Sequence, residues 1–545
     1  MSNKLMNFLN VGSETFEVAD AVARLGIGSP LVAATVSAMT DTSKIYVYTG
    51  SETGYTAGNW YYYNGSAWTS GGVYNSGAVN VDTTLAVSGA AADSKTVGDK
   101  FDEVEADIAE IPVVVANPDG AVVSNLNRVK IGDDVYALYG TQTCYGFHID
   151  GSNSDGEKTS NKITYLEDAV GMTPAYMDYV NDRFVYGSWQ NAFFMPRPCM
   201  LKNDGTVDYY LDENDYSKKA DGTASDIAND NYAGNAMMEW GRDGQRIWYK
   251  IVPDSGDSTS ASVYIANMKI DDDFHAWSFY DANNNLKDHF YTPIYNGSIV
   301  NDGTNDILRS LSGKTYTDYC KGKTATVEIQ MAERNNVGND KGWYTEVFAD
   351  VILIQMLCYL ISKSTDVQTA FGNGNMSGGS TEDKMLDTGT MNDKGLFWGA
   401  NDGVHGVKIF GMENFWANQY RRYAGHYLVD YVNKYKLTRN TADGSEATDY
   451  STADTTGYLT GGTSPSENGY YSQIQYDSTG AIYVNSVTGG GSNKYYYDSY
   501  YQNSGTSYAL RGGACSNGVA CGFCVVLRNG AATASWGIGA ALSYK

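Results

Sequence analysis

The stretch GGACSNGVACGFCVVLRNG, residues 512–530, carries Cys515, Cys521 and Cys524, three of the seven cysteines in the chain. Thiols at this density could transfer electrons or hold a metal. Redox chemistry needs a C-x-x-C pair with a strand before it and a helix after it, because the helix N-terminus lowers the pKa of the first thiol. Cys521-Gly-Phe-Cys524 has the spacing, but Val525-Val-Leu and then Arg-Asn-Gly follow, which read as a strand and a turn. A structural zinc site needs four ligands. Three cysteines six and three residues apart leave one ligand missing, and the last histidine of the chain, His426, lies far upstream. A distant His or Asp would have to complete the set, so the expectation is a chain without metal or cofactor.

Successive side chains of a strand point to opposite faces. Phe523, Val525 and Leu527 therefore share one side, a consistent core face, and Cys524, Val526 and Arg528 share the other. A thiol, an isopropyl group and a guanidinium together read as a surface whose identity packing does not fix. Further on, Trp536, Ile538, Ala540, Leu542 and Tyr544 alternate with Gly537, Gly539, Ala541 and Ser543, a closing strand with one large-residue and one small-residue face. Cys144, Cys199, Cys320 and Cys358 stand alone in apolar or aromatic surroundings and are expected to be buried free thiols. The pair Asp212/Asp215 and the run Asp271-Asp-Asp273 lack the calcium-loop pattern and read as turns and solvated faces.

The elements that must position these residues follow from composition and pattern. The chain has 545 residues, which predicts roughly three to five domains. Charged residues are 19%, Gly (60) and Tyr (45) are abundant and Pro (9) is scarce, a balance that favours a β-rich, loop-rich protein over a helical enzyme. A net charge of -25, with no basic run interleaved with aromatics, removes the electrostatic footprint of a nucleic-acid binder. The N-terminus MSNKLMNFLNVGSETFEVAD has no sustained apolar region, and the most apolar segment, FADVILIQMLCYLI at 348–361, is shorter than a bilayer needs and contains Asp350. A soluble chain with no secretion signal is expected.

Residues 41–76 alternate aromatic or β-branched residues with Gly/Asn/Ser turns and predict a small β-module. Its Tyr46, Tyr48, Tyr55, Trp60, Tyr62, Trp68 and Tyr74 could stack on sugars or simply fill the core of a small sheet. Val97, Phe101, Val104, Ile108 and Ile111 are spaced 4, 3, 4 and 3 apart, an a/d stripe. A lone acidic helix of about fifteen residues is marginal in water, so this one is expected to form a parallel oligomer, with packing on its own chain as the alternative. Pro112 ends it and PVVVA opens a strand. Short strand-like runs continue to about residue 340, and from 346 to 362 the period turns helical and nearly all apolar, so that helix must be buried.

Leu510-Arg-Gly-Gly513, the Gly-rich loop after it, the strand GFCVVL and the terminal Trp536-Gly-Ile-Gly-Ala-Ala-Leu resemble the C-terminal variable region of proteins diversified by retroelements. Residues 348–371, Gly395-Leu-Phe-Trp-Gly and Gly406-Val-Lys-Ile-Phe-Gly-Met-Glu-Asn-Phe-Trp-Ala-Asn resemble the helix and central strands of the same proteins. The resemblance covers about residues 325–545. It implies a C-type lectin fold of the kind found in phage major tropism determinants, and a ligand-facing, variable role for Ala514, Cys515, Ser516, Val519, Ala520, Cys521, Cys524, Val526, Arg528, Thr533, Ser535 and Gly537. Arg511-Gly-Gly-Ala-Cys also echoes the R-G-G-S-W motif of the formylglycine-generating enzymes, which share the fold. Their G-N-V-W-E-W survives only in part, as Glu413-Asn-Phe-Trp-Ala-Asn418, and no nucleophile, base and orienting group stand together, so a non-catalytic protein is expected.

The expected whole is mostly β with a few helices: an elongated, fibre-like multidomain chain with an N-terminal virion-attachment segment (1–40), the aromatic β-module (41–82), a short trimeric coiled coil (83–112), a β-rich intermediate part (113–324) and a C-type-lectin-like domain (325–545). By resemblance it is a phage tail adhesin of the virion, a homotrimer docked on tail or baseplate proteins through its N-terminus and binding a host cell-surface receptor, protein or glycan, with neither nucleic acid nor membrane insertion. A fibre-borne polysaccharide depolymerase and a bacterial surface lectin-like adhesin are the alternatives. Fold alone does not choose among them.

Overall fold

The structure, a computed structural model, describes residues 31–74, 142–152, 162–438, 450, 457–488, 496 and 498–545, with strand backbone also at 8–11, 14–17, 81–82, 91–92, 128–131 and 134–137. It is mostly β-sheet, 37% strand and 11% helix. The chain divides into two compact units, Met1–Glu110 and Ile111–Lys545. The stripe Val97, Phe101, Val104, Ile108 and Ile111 and the PVVVA run lie outside the described residues.

In the first unit, β1 (Leu31–Ala33), β2 (Tyr46–Tyr48), β3 (Asn59–Tyr63) and β4 (Trp68–Val73) form a four-stranded sheet in that order. β1 pairs parallel with β2, so the module starts ten residues earlier than its aromatic pattern indicates. Only one side of the sheet is a core. Tyr46, Tyr48 and Tyr61 are buried with Ala33 and Met39, and Tyr55 and Trp68 pack against them. Of the rings singled out from the sequence, Tyr46, Tyr48, Tyr55 and Trp68 fill the core of the small sheet, and Trp60 and Tyr62 lie on the other side.

The second unit is organised around α2 (Phe348–Ser362), which follows α1 (Ala325–Glu333) and precedes α3 (Val367–Phe371). Every residue of α2 is buried. A helix apolar on all sides finds no stable place at a surface, and here sheets and loops enclose it. The boundary expected near residue 324 is not a seam. One six-stranded sheet runs Val207–Tyr210, Arg197–Lys202, Gly234–Trp240, Phe290–Pro293, Leu542–Tyr544, Trp343–Thr345, so strands from before and after that point hydrogen-bond side by side. The main hydrophobic cluster likewise joins Phe147, Trp240 and Phe290 to Leu357, Trp416 and Phe523. Burying α2 takes residues from both halves, and this shared core makes them one unit.

A nine-stranded sheet carries the C-terminal region. Its strands are β5 (Tyr420–Val429), β6 (Val432–Tyr435), β7 (Leu459–Thr463), β8 (Gly469–Tyr476), β9 (Ile482–Thr488), β10 (Ser499–Gln502), β11 (Thr506–Arg511), β12 (Val525–Asn529) and β13 (Ile538–Gly539). The order is β7-β6-β5-β11-β12-β10-β8-β9, and β13 pairs parallel with β5. All seven cysteines are buried and unbonded to one another. Asp212 accepts the Asn214 and Asp215 amides of its own turn, and Asp271 pairs with Lys250 at 2.7 Å. Among the described residues, no helix is long and apolar enough to cross a membrane.

Candidate functional site

The loop 512–524 joins β11 to β12, which lie antiparallel with Leu510 opposite Val526. Its path depends on glycine. Gly513 and Gly522 have φ of +83° and +82°, and a Cβ would stand 2.5 Å from Cys521 Sγ at the first and 2.1 Å from Asp498 Oδ1 at the second. With those turns made, the main chain is pinned from outside. Cys515 N–H donates to Asn418 O (3.1 Å), Gly379 N–H to Cys515 O (3.1 Å) and Gly518 N–H to Met376 O (2.7 Å). Gln368 Nε2 donates to Val519 O (3.2 Å), Ser499 Oγ to Ala520 O (2.6 Å) and Phe523 N–H to Asp498 Oδ1 (2.8 Å). Inside the loop the Asn517 side chain adds one bond, its Oδ1 accepting the Ala514 N–H (2.7 Å), and the bonds named do not use the side chains of Ser516 or Val519. The loop's course is set by its partners, and its outward side chains are released from structural work.

Buried cations fasten the C-terminal segment 511–545 at both ends. At the end of β11, Arg511 Nη2 donates to Glu346 Oε1 and its guanidinium stacks 3.7 Å from the Phe415 ring centre. Arg421 Nη1 stands 3.5 Å from the same oxygen, and burial pushes this guanidinium down to about 10. At the other end Lys545 Nζ pairs with Asp350 Oδ1 at 2.8 Å, both buried. In between, Arg422 bonds Glu328 Oε2 at 2.7 Å and donates to Thr533 O at 2.8 Å. Burial drives the Glu328 carboxyl up to about 7 against the pull of Arg422. Breaking a buried pair leaves an uncompensated charge, so such pairs fix position even where they add little net stability.

The structure separates the predicted surface residues sharply. Ser516, Val519 and Arg528 are exposed, Thr533 and Ser535 are half-buried, and Ala514, Cys515, Ala520, Cys521, Cys524, Val526 and Gly537 are buried. For those seven the expectation of an open surface is corrected. The pleat is as read, with Phe523 and Leu527 in the main core and Val525 packed against it, but the opposite face is also covered. Val526, 2% exposed, packs with Leu510 and with Ile538 of β13, flanked by Tyr420 and Tyr501. Cys515 lies in a pocket of Tyr319 and Met385, with Tyr316 and Trp536 against it. Strand alternation counts two faces of an isolated sheet and does not register a later segment folding back over one of them.

Burial also raises the Cys515, Cys521 and Cys524 thiols above their ordinary value, so they stay protonated at neutral pH. Among the described residues, no group of three or more His, Cys, Asp or Glu side chains is arranged to hold a metal ion. Asp498, whose carboxyl burial holds well above the usual carboxylate range, acts on the loop through its bond to Phe523 N–H.

Around the exposed side chains the fold gathers residues that the sequence pattern did not single out. Arg528 lies 5.3 Å from the ring centre of Tyr501, and β10 and β12 run parallel with Tyr501 opposite Val526. Met376 links two further loops to the hairpin: its carbonyl takes the Gly518 N–H, and its neighbour Ser377 N–H donates to Gly403 O at 2.7 Å. The second of these loops carries the exposed Val404 and a His405–Asp402 pair at 2.5 Å. The Tyr-rich run before β11 and the Gly/Ser-rich stretch after α3 were the visible signals, but neither has a spacing that ties it to residue 519. Partly exposed tyrosine, a guanidinium and small polar groups on a pinned backbone can form an adaptable contact surface, since rigid rings give area at low entropy cost.

A scan against models of known protein families finds no match to this chain, and a search of curated proteins finds none either.

Proposed function

We propose that the chain is a phage tail adhesin whose C-terminal hairpin, built on a C-type-lectin-like scaffold, attaches the virion to a receptor on the host cell. The observation that carries this reading is the pinning of loop 512–524 through its main chain, with Ser516 and Val519 exposed upon it and Arg528 exposed on the strand that follows. A loop so held tolerates exchange of its outward residues without refolding, as a diversified receptor surface requires. On this reading the variable contacts are Ser516, Val519, Arg528, Thr533 and Ser535, and the buried members of the set are scaffold. Adhesion is non-catalytic. Trimerisation through 83–112 would multiply weak contacts by raising effective concentration.

The test is a library of the full chain varied at Ser516, Val519 and Arg528, scored for adherence to a panel of bacterial strains. Variants are expected to differ in the strains they bind while melting within about 2 °C of the parent, as surface substitutions do. Identical adherence across the library would overturn the proposal, and so would release of reducing ends from bacterial capsule by the purified chain. A reverse-transcriptase gene beside this one, with a near-copy of its last hundred or so bases, would support it from the DNA.

A further inference from the structure

We propose that the outer face of the module formed by β1–β4 is a second binding site, for a neutral glycan chain. The face opposite the tyrosine core is a row of apolar side chains crossing the sheet. Val32 pairs with Val47, Val47 with Trp60, and Trp60 with Gly72. Tyr62, two residues along from Trp60, is 39% exposed, and Val32 is 71% exposed. The Trp60 and Tyr62 rings are 5.8 Å apart with their planes 36° from each other. Beneath the indole lies Gly71, where a Cβ would stand 2.0 Å from Trp60 Cζ2. The missing side chain lets the ring lie against the sheet, and Gly71 is itself the extra residue of a bulge in β4, where Gly72 pairs with Trp60 and Ser70 with Tyr61. Thr69, paired opposite Tyr62, sets a hydroxyl beside the rings.

Charge and size choose the occupant. Asp41, Lys44 and Glu52 are the charged residues from 31 to 74. Asp41 N–H bonds the Tyr46 hydroxyl and Glu52 the Tyr48 hydroxyl, both on the core side, and Lys44 is in the turn before β2. The outer face thus offers neither a cluster of cations to an acidic polymer nor a carboxylate to a basic one. With strands of at most six residues, about 3.3 Å per residue and about 4.8 Å between strands, the face measures roughly 20 by 14 Å, on the order of 300 Å². A stable protein interface takes about 800 Å² per partner, so a second copy or another protein is poorly served. The apolar face of a pyranose ring laid on Trp60 and Tyr62, with its equatorial hydroxyls directed to the rim, fits both the area and the lack of charge. The site belongs to the first unit and stands apart from the receptor-binding proposal for the second.

Full-length protein is titrated with hexasaccharides of glucose, mannose, galactose and N-acetylglucosamine, and with hyaluronan as the anionic comparison, by saturation-transfer NMR and calorimetry. At least one neutral hexasaccharide is expected to bind. Trp60→Ala should weaken it about tenfold or more, equivalent to about 1.4 kcal/mol, whereas Trp60→Phe keeps most of the binding and controls for the fold. Arg528→Ala should leave it unchanged, which separates this site from the C-terminal face. The proposal is overturned if no neutral hexasaccharide binds, if hyaluronan binds more tightly, if Trp60→Ala with Tyr62→Ala binds like the parent, or if Trp60→Ala lowers the mass in solution and so marks the face as a self-contact.

Discussion

Val526 and Arg528 lie two residues apart on the same side of the same strand, and exchanging each for Ser measures how far cover extends over that side. Val526 is 2% exposed among Leu510, Ile538, Tyr420 and Tyr501. Removing a fully buried valine side chain forfeits about 1.5–3 kcal/mol of transfer free energy, and a serine hydroxyl left without a partner adds about 1–3 kcal/mol. The expected cost of Val526→Ser is therefore about 3–5 kcal/mol. For so large a unit, at roughly 2 °C per kcal/mol, Tm falls by about 6–10 °C. Arg528 is exposed and its contact with Tyr501 is 5.3 Å long, so Arg528→Ser costs at most about 1 kcal/mol. Calorimetry on both variants with urea unfolding as a second readout gives the comparison, and receptor capture is expected to drop for Arg528→Ser at an unchanged Tm. If Val526→Ser melts within a degree or so of the parent, the cover by β13 is not what holds Val526 and the assignment of buried and open positions is wrong.

Glu346→Gln removes the carboxylate between Arg421 and Arg511, leaving two buried guanidiniums uncompensated, and should cost about 3–5 kcal/mol; an unfolding midpoint equal to the parent's would refute the clamp. Burial holds His426 down to about 4 from 6.5, with its bond to Asn433 working the other way. The unfolded chain takes up this proton near pH 6.5 and the folded chain only near pH 4, so the ring's contribution is intact above that window and lost as pH falls through it, by about 3 kcal/mol. Unfolding curves of the parent and His426→Gln at pH 7 and pH 4 should differ in pH dependence by that amount, and parallel behaviour would contradict it. With all seven thiols buried, a native chain should give less than one fast equivalent with a thiol reagent and seven after denaturation; several fast equivalents would mean that the loop 512–524 opens readily.

The β-rich character, the helix at 348–362, the buried isolated cysteines and the inward set Phe523, Val525 and Leu527 were legible in the sequence, because each depends on composition or on a repeat of two or 3.6 residues. These are local signals. The sequence also marked the glycines of loop 512–524, whose turns exclude a Cβ. Tertiary structure decided which of the remaining loop and strand residues see solvent. Cys524, Val526 and Arg528 are equivalent by alternation, but Ile538 packs on Val526 while Arg528 stays exposed, a contact between segments more than ten residues apart that no period encodes. The same holds for the seam expected near residue 324, erased because α2 needs apolar partners from both halves, and for the links from loop 512–524 to Gln368, Met376 and Asn418. Backbone hydrogen bonds formed across long stretches of chain depend on where the main chain passes, and the side-chain sequence at those points leaves little trace of them.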